Sequence, residues 1–122
     1  AWQFLHSITL AYPDNPTDED KNNYKSFYYS LQGVLSCEKC SMNYKQDIIN
    51  NPIDNHLDSR DSLVKWVIDI HNIVNKETDK KELDYEEALS LYQNEEKPIL
   101  DYCFKIIVLL IILSFIYYLS TK

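Results

Sequence analysis

Two sulfurs three positions apart, in Cys37-Glu38-Lys39-Cys40, are the sharpest chemical feature of this 122-residue chain. Thiols at that spacing can close a disulfide across one helical turn and so form a reversible two-electron couple. If the pair begins a helix, the positive end of the macrodipole and the free backbone N–H groups there favour a thiolate. The same two residues are also half of a zinc site, so the motif alone leaves redox chemistry, metal binding and a structural bridge open. Zinc would need two further ligands, and the histidines available are His6, His56 and His71. His56 and His71 stand much further apart than the usual three to five residues, and there is no second CxxC. No metal site is expected. The third cysteine, Cys103, is isolated, and three cysteines do not make the framework of a disulfide-stapled secreted fold.

A second constellation is His71-Asn72-Ile73-Val74-Asn75. On a helix, His71 and Asn75 are i, i+4 and Asn72 and Asn75 are i, i+3, so the three share one polar arc. That arc borders an apolar stripe of Leu63, Trp66, Val67, Ile70 and Val74. Stacking and hydrogen-bonding groups beside an apolar face suit a flat heteroaromatic ligand. The same pattern equally describes a solvated helix face with one histidine at the edge of the core. Trp2 and His6, also i, i+4, project together from the start of the chain and leave the same two alternatives.

The elements that must hold these groups are helical. Trp2 to Ala11 reads as a short apolar helix ended by Tyr12-Pro13. Pro16-Thr17-Asp18-Glu19-Asp20 supplies an N-cap and a first-turn run of acids for a helix to about Leu35. The next helix begins near Cys37 and closes at Asn51-Pro52. Asp58-Ser59 caps a fourth, which carries the apolar stripe, and Asp84 with Glu87 resembles a capping box for a short fifth ending near Asn94. No segment alternates as a strand. The expected fold is all-α, a four-helix bundle with a short fifth helix.

Composition narrows the function. Twelve basic and 19 acidic residues give a net charge of −7, a poor match for phosphate backbones, so nucleic acid is not an expected partner. A single glycine, Gly33, excludes a Rossmann fingerprint and a P-loop, so any nucleotide cofactor must be held by side chains and helix faces. The uncharged run from Ile106 to Leu119 breaks with everything before it. Ile99 to Ser120, at about 1.5 Å per residue, just reaches across a hydrocarbon core of about 30 Å. Residues 96–122 are therefore expected to form a transmembrane tail anchor, with Tyr117 and Tyr118 at its far interface. The chain opens at Ala1 without methionine, and Trp2 to Pro13 lacks the basic leader and long apolar run of a signal peptide.

Taken in order, Trp2-x-x-x-His6, Tyr12-Pro13, Pro16-Thr17, Cys37-x-x-Cys40, Asn51-Pro52, Ser59-Arg60, Trp66 and His71-Asn72-x-Val74-Asn75 resemble the Erv/ALR family of FAD-linked sulfhydryl oxidases. The likeness covers about residues 1 to 92, within an oxidase domain set at 1–95. It implies a four-helix bundle with a short fifth helix, working as a homodimer, with FAD in the mouth of the bundle. By that resemblance Cys40 is the thiol beside the flavin, in charge-transfer contact with it, and Cys37 the outer thiol that exchanges with substrate. Trp2, His6, Tyr12, His71, Asn72, Val74 and Asn75 are then FAD contacts. Lys76 and Lys80 match the basic positions that meet the cofactor's phosphates, and Tyr92 an aromatic position near the flavin. Electrons pass from a protein dithiol, thioredoxin-like or from a virion, through the CxxC pair and the flavin to O2, giving hydrogen peroxide.

The chain departs from that pattern in places. Many members hold a structural disulfide whose positions fall here at about Ile68 and Tyr85, so apolar packing is expected in its place. Ser36 stands where proline often precedes the first active cysteine, and no additional shuttle pair of cysteines is visible. Cys103 would lie at the membrane edge, open to acylation. A small anchored form, rich in Lys, Asn and Ile, resembles members from large DNA viruses. A tail anchor would put the domain on the cytosolic face of a virion or host membrane. The competing expectation is a non-catalytic helical interaction module in which the CxxC is a structural disulfide or zinc clip.

Overall fold

The computed structural model describes residues 1–93 and 97–120, without the side chains of 97–101, 115, 116, 119 and 120. It contains α1 (Trp2–Leu10), α2 (Asp18–Ser30), α3 (Glu38–Asn50), α4 (Arg60–Glu77), α5 (Tyr85–Gln93) and α6 (Lys97–Ser120), with short 3₁₀ turns at Leu31–Gly33 and Ile53–His56. No strand occurs among the described residues. The all-α expectation is met.

Local chemistry sets the helix ends. Thr17 caps α2 as a full capping box: its side chain accepts from the Asp20 N–H, and the Asp20 carboxylate accepts from the Thr17 N–H at 2.8 Å. Helix α2 ends at Ser30 and not near Leu35, because the chain tightens into the 3₁₀ turn that holds Gly33, a weak helix former. Ser59 caps α4 by accepting from the Ser62 N–H. At α5 only half of the expected capping box forms. Asp84 accepts from the Glu86 N–H at 3.1 Å, while Glu87 is drawn away to Lys81.

Helix α4 is the central strut. Its stripe of Leu63, Trp66, Val67 and Ile70 is almost wholly buried against Tyr12, Tyr28, Ile48 and Ile53. Burying each such side chain contributes roughly 1.5–3 kcal/mol. Aromatic polar tips in this core are engaged: the Trp66 indole N–H donates to the Asn51 carbonyl at 2.8 Å, and the Tyr28 hydroxyl to the Leu5 carbonyl at 2.8 Å. A smaller cluster of Val64, Ile68 and Ala88, flanked by Leu83 and Tyr85, pins α5 to α4. Ile68 and Tyr85 thus meet in one apolar contact cluster, as expected for the positions that hold a disulfide elsewhere.

The tail requires a correction. Among the described residues no helix is long and apolar enough to cross a membrane. Residues 96, 121 and 122 of the expected anchor, and the side chains of 97–101, 115, 116, 119 and 120, lie outside those described. What α6 does show is exposure: Phe104, Ile107, Leu110 and Ile111 are each more than half exposed.

Candidate functional site

The CxxC lies where the turn after α2 hands over to α3. Cys37 is the N-cap residue, in extended backbone, and its Sγ accepts from the Cys40 N–H at 3.2 Å. The side chain that caps the helix is therefore itself one of the two sulfurs. Cys37 and Cys40 are joined in a disulfide, with Cα atoms 5.1 Å apart, and both residues are exposed. Negative charge left on either sulfur after reduction would sit at the positive end of α3.

The two sulfurs are not equivalent. A cavity of about 320 Å³ opens between α1, α3 and α4, and Cys40 lines it together with Trp2, Leu5, Tyr44 and Val74. Cys37 is not part of its wall. The volume falls in the range of small-molecule sites, and the mostly apolar wall with a few polar groups is typical of them.

Beside this cavity α1, α4 and α5 build a cluster of four rings. The Trp2 indole stacks on the His71 imidazole with centroids 4.0 Å apart, and the Tyr92 ring stacks on His6 at 3.9 Å. His6 and His71 join the two stacks through an Nε2 to Nδ1 hydrogen bond of 3.0 Å. Both imidazoles are buried. Burial, and then the neighbouring His71, hold the His6 pKa down at about 4, and burial followed by the Lys80 cation lowers that of His71. At neutral pH the pair is uncharged, so one ring donates and the other accepts.

The C-terminus of α4 turns Lys80 back toward this cluster. Asp79 takes a left-handed φ of 55°, and the Lys80 N–H donates to the Asn75 carbonyl at 2.7 Å while the Asp79 N–H donates to the Lys76 carbonyl. This is a Schellman closure with aspartate where glycine is usual. Nothing in the spacing of the sequence announced it.

One cavity thus brings together an indole from α1, a redox-capable sulfur from α3 and the valine of the HNxVN motif from α4. The sequence pattern of the Erv1 / Alr family matches residues 1–95. The chain belongs to the Erv1/Alr family.

Named relatives agree. The chain is 47% identical over 98 residues to the probable FAD-linked sulfhydryl oxidase of Acanthamoeba polyphaga mimivirus, covering 80% of this chain and 68% of that one. It is 32% identical over 84 residues to the mitochondrial FAD-linked sulfhydryl oxidase ERV1 of Saccharomyces cerevisiae, covering 69% of this chain but only 43% of the yeast protein. An African swine fever virus FAD-linked sulfhydryl oxidase is 24% identical over 107 residues, with 83% of each chain covered. The expected likeness to proteins of large DNA viruses is met. The crystal structure of the yeast Erv1 core superposes with a TM-score of 0.71 at 29% identity, over 77% of this chain and 78% of that one.

Of the residues anticipated from the Erv1/Alr resemblance, the structure gathers several at the cavity and its ring cluster and gives others partners of their own. Trp2, His6, His71, Val74 and Tyr92 converge on the cavity and its ring cluster. Asn75 is buried beside them on the same helix. Lys80 lies close enough to act on His71, while Lys76 is an exposed side chain of the last turn of α4. Tyr12 is different: it is fully buried in the core and its hydroxyl donates to the Leu57 carbonyl at 2.8 Å. Asn72 is also committed. Its amide donates to the Leu83 carbonyl and accepts from the Leu83 N–H, each at 2.8 Å, so it pins the segment that leads to α5. His56 binds Ser62 at 3.2 Å. Among the described residues no group of three or more His, Cys, Asp or Glu is placed to hold a metal ion.

Missed by sequence reasoning were Asn43 and Glu77, which line the Cys40 cavity and are hydrogen-bonded at 3.0 Å across α3 and α4. The i+3 relation of Asn43 to Cys40, and the place of Glu77 two residues after the HNxVN motif, were the available signals.

Proposed function

We propose that this chain is an FAD-linked sulfhydryl oxidase that introduces disulfides into protein dithiols. The observation that carries the reading is the asymmetry of the sulfur pair, with Cys40 on the wall of the cavity and Cys37 outside it. The residues present fit the cofactor: an apolar slot, four stacked rings with one neutral imidazole donor, and a lysine turned back on the cluster. Trp2, His6, His71, Val74 and Tyr92 would hold FAD, with Lys80 near its phosphates. Bound FAD supplies a two-electron acceptor that passes its electrons to O2, with hydrogen peroxide as product.

The protein's own steps follow from the sulfurs. A substrate thiolate attacks Cys37 Sγ, the Cys37–Cys40 bond breaks, and Cys40 leaves as a thiolate at the cavity wall. A second substrate thiolate then attacks the substrate sulfur of the mixed disulfide and releases the Cys37 thiolate. The Cys40 N–H that already donates to Cys37 Sγ favours that departure.

The wider setting belongs to the same proposal. Substrates are thioredoxin-like or virion dithiol proteins, met directly by Cys37, and the oxidase works as a homodimer. Supporting a protein contact, Phe4 on α1 stands 62% exposed against Phe27 of α2. The exposed apolar side chains of α6 hold the domain at a lipid surface, with the catalytic part on the cytosolic side.

The decisive experiment is purification followed by a thiol-oxidase assay. We expect yellow protein absorbing near ~450 nm and peroxide release with dithiothreitol. Cys40→Ser should stop turnover while flavin stays bound. Colourless protein, or unchanged turnover in Cys40→Ser, would defeat the proposal.

A further inference from the structure

The charges around Cys40 are few and of opposite sign. The cavity wall holds Lys39, Tyr44 and Glu77 as titratable side chains, with Ala1, the first residue of the chain, beside Trp2 at the α1 edge. From the turn after α2 come only Leu31 and Leu35. Tyr44 is buried and its hydroxyl donates to the Tyr28 carbonyl at 3.0 Å, and burial pushes its pKa far up, so it stays neutral. Lys39 is the residue directly before Cys40. Glu77 ends α4, and its carboxylate is fixed across the helix gap by the Asn43 amide at 3.0 Å.

A second carboxyl, that of Asp47, lies further along the same face of α3 and is not part of the cavity wall. Cys40, Asn43, Tyr44 and Asp47 share one face of α3, spaced i, i+3, i+4 and i+7. Asp47 is 6% exposed, and its Oδ2 is buried without a hydrogen-bond partner. Burial, and then the charge of Glu77, push its carboxyl toward the protonated form. The phenols on this side, Tyr28 of α2 and Tyr44, are neutral for the same reason of burial.

Resting on the oxidase reading, we infer that Lys39 and Glu77 are positioning residues that set, by opposed charges, how readily Cys40 holds a thiolate against the cavity, with Asn43 fixing Glu77 in place. A carboxylate on the wall disfavours the thiolate, and an ammonium favours it. The two are reached from different helices, so α3–α4 spacing is part of the setting. When the disulfide opens, Lys39 receives the new negative charge, and Glu77 makes it easier to lose again to an electron acceptor. No proton or electron is consumed by either residue.

The test measures the thiol itself, not turnover. In FAD-loaded Cys37→Ser protein, Cys40 is free, and its iodoacetamide alkylation rate is followed against pH by peptide mass spectrometry. Cys103, exposed and far along the chain, serves as the internal control. Glu77→Gln keeps an acceptor for Asn43 and removes the charge. It should move the Cys40 midpoint down by about half a pH unit or more, and Lys39→Met should move it up by a similar amount. Midpoints that stay put, or that move in the same direction, overturn the inference. Comparing protein with and without FAD separates this from the parent proposal: FAD that leaves Cys40 equally open to alkylation would sink the oxidase assignment, whatever the midpoints do.

Discussion

His6 and His71, separated by 65 positions in sequence, are joined ring to ring by a 3.0 Å hydrogen bond inside the protein. The bond requires that at least one ring be neutral, because two imidazolium ions could only face each other with protons. One buried contact therefore ties the start of α1 to the middle of α4 and makes the ring cluster sensitive to acid.

Acid should weaken the fold through this pair. His6 has a folded pKa of about 4 against an ordinary value of 6.5. A base with a lowered folded pKa stabilises the protein above the ordinary value, and that stability is lost as pH falls from 6.5 toward 4. We expect Tm to fall across that window in parent protein and to fall less in His6→Gln. Parallel curves for the two proteins would count against a neutral pair.

His71→Ala removes the ring that stacks on Trp2 and bonds His6. Retention of FAD through gel filtration should drop, and the rise in Tm on adding FAD should shrink, because bound ligand stabilises only the folded form. An unchanged FAD-induced rise would show that the cofactor does not use this cluster.

Asp47→Asn should raise stability at neutral pH. The folded carboxyl is shifted upward from 3.8, so the unfolded chain releases this proton more easily and the fold is penalised as pH rises above 3.8. The substitution removes that penalty, so its gain should be full at pH 7.5 and fade on acidification below 3.8. Chemical denaturation at two pH values distinguishes this from a pH-independent effect.

Ile68→Ala tests whether apolar packing does the work of a covalent clamp between α4 and α5. Ile68 is 4% exposed in a small cluster with Val64 and Ala88. Truncation should cost about 2–5 kcal/mol, the range for a buried isoleucine, and loosen Tyr92 from His6. A loss well under 1 kcal/mol in urea unfolding would mean that the cluster can collapse and that other contacts hold α5.

Much of this was legible in the linear chain because helices encode themselves locally. Caps at Thr17 and Ser59 and the 3.6-residue stripe through Trp66 depend on neighbours a turn apart, and the structure returned them nearly unshifted. Even the pairing of Trp2 with His6 and the arc from His71 to Asn75 were matters of spacing. What sequence could not assign was the use of each polar tip. Tyr12 and Asn72 spend hydrogen bonds on Leu57 and Leu83, partners 45 and 11 residues away. Asn43 and Glu77 enter that wall only because α3 crosses α4 at their level. Spacing along one helix fixes which side chains share a face. Which face meets which, and hence which sulfur lines a cavity and which carboxyl loses its water, is decided only when the helices pack.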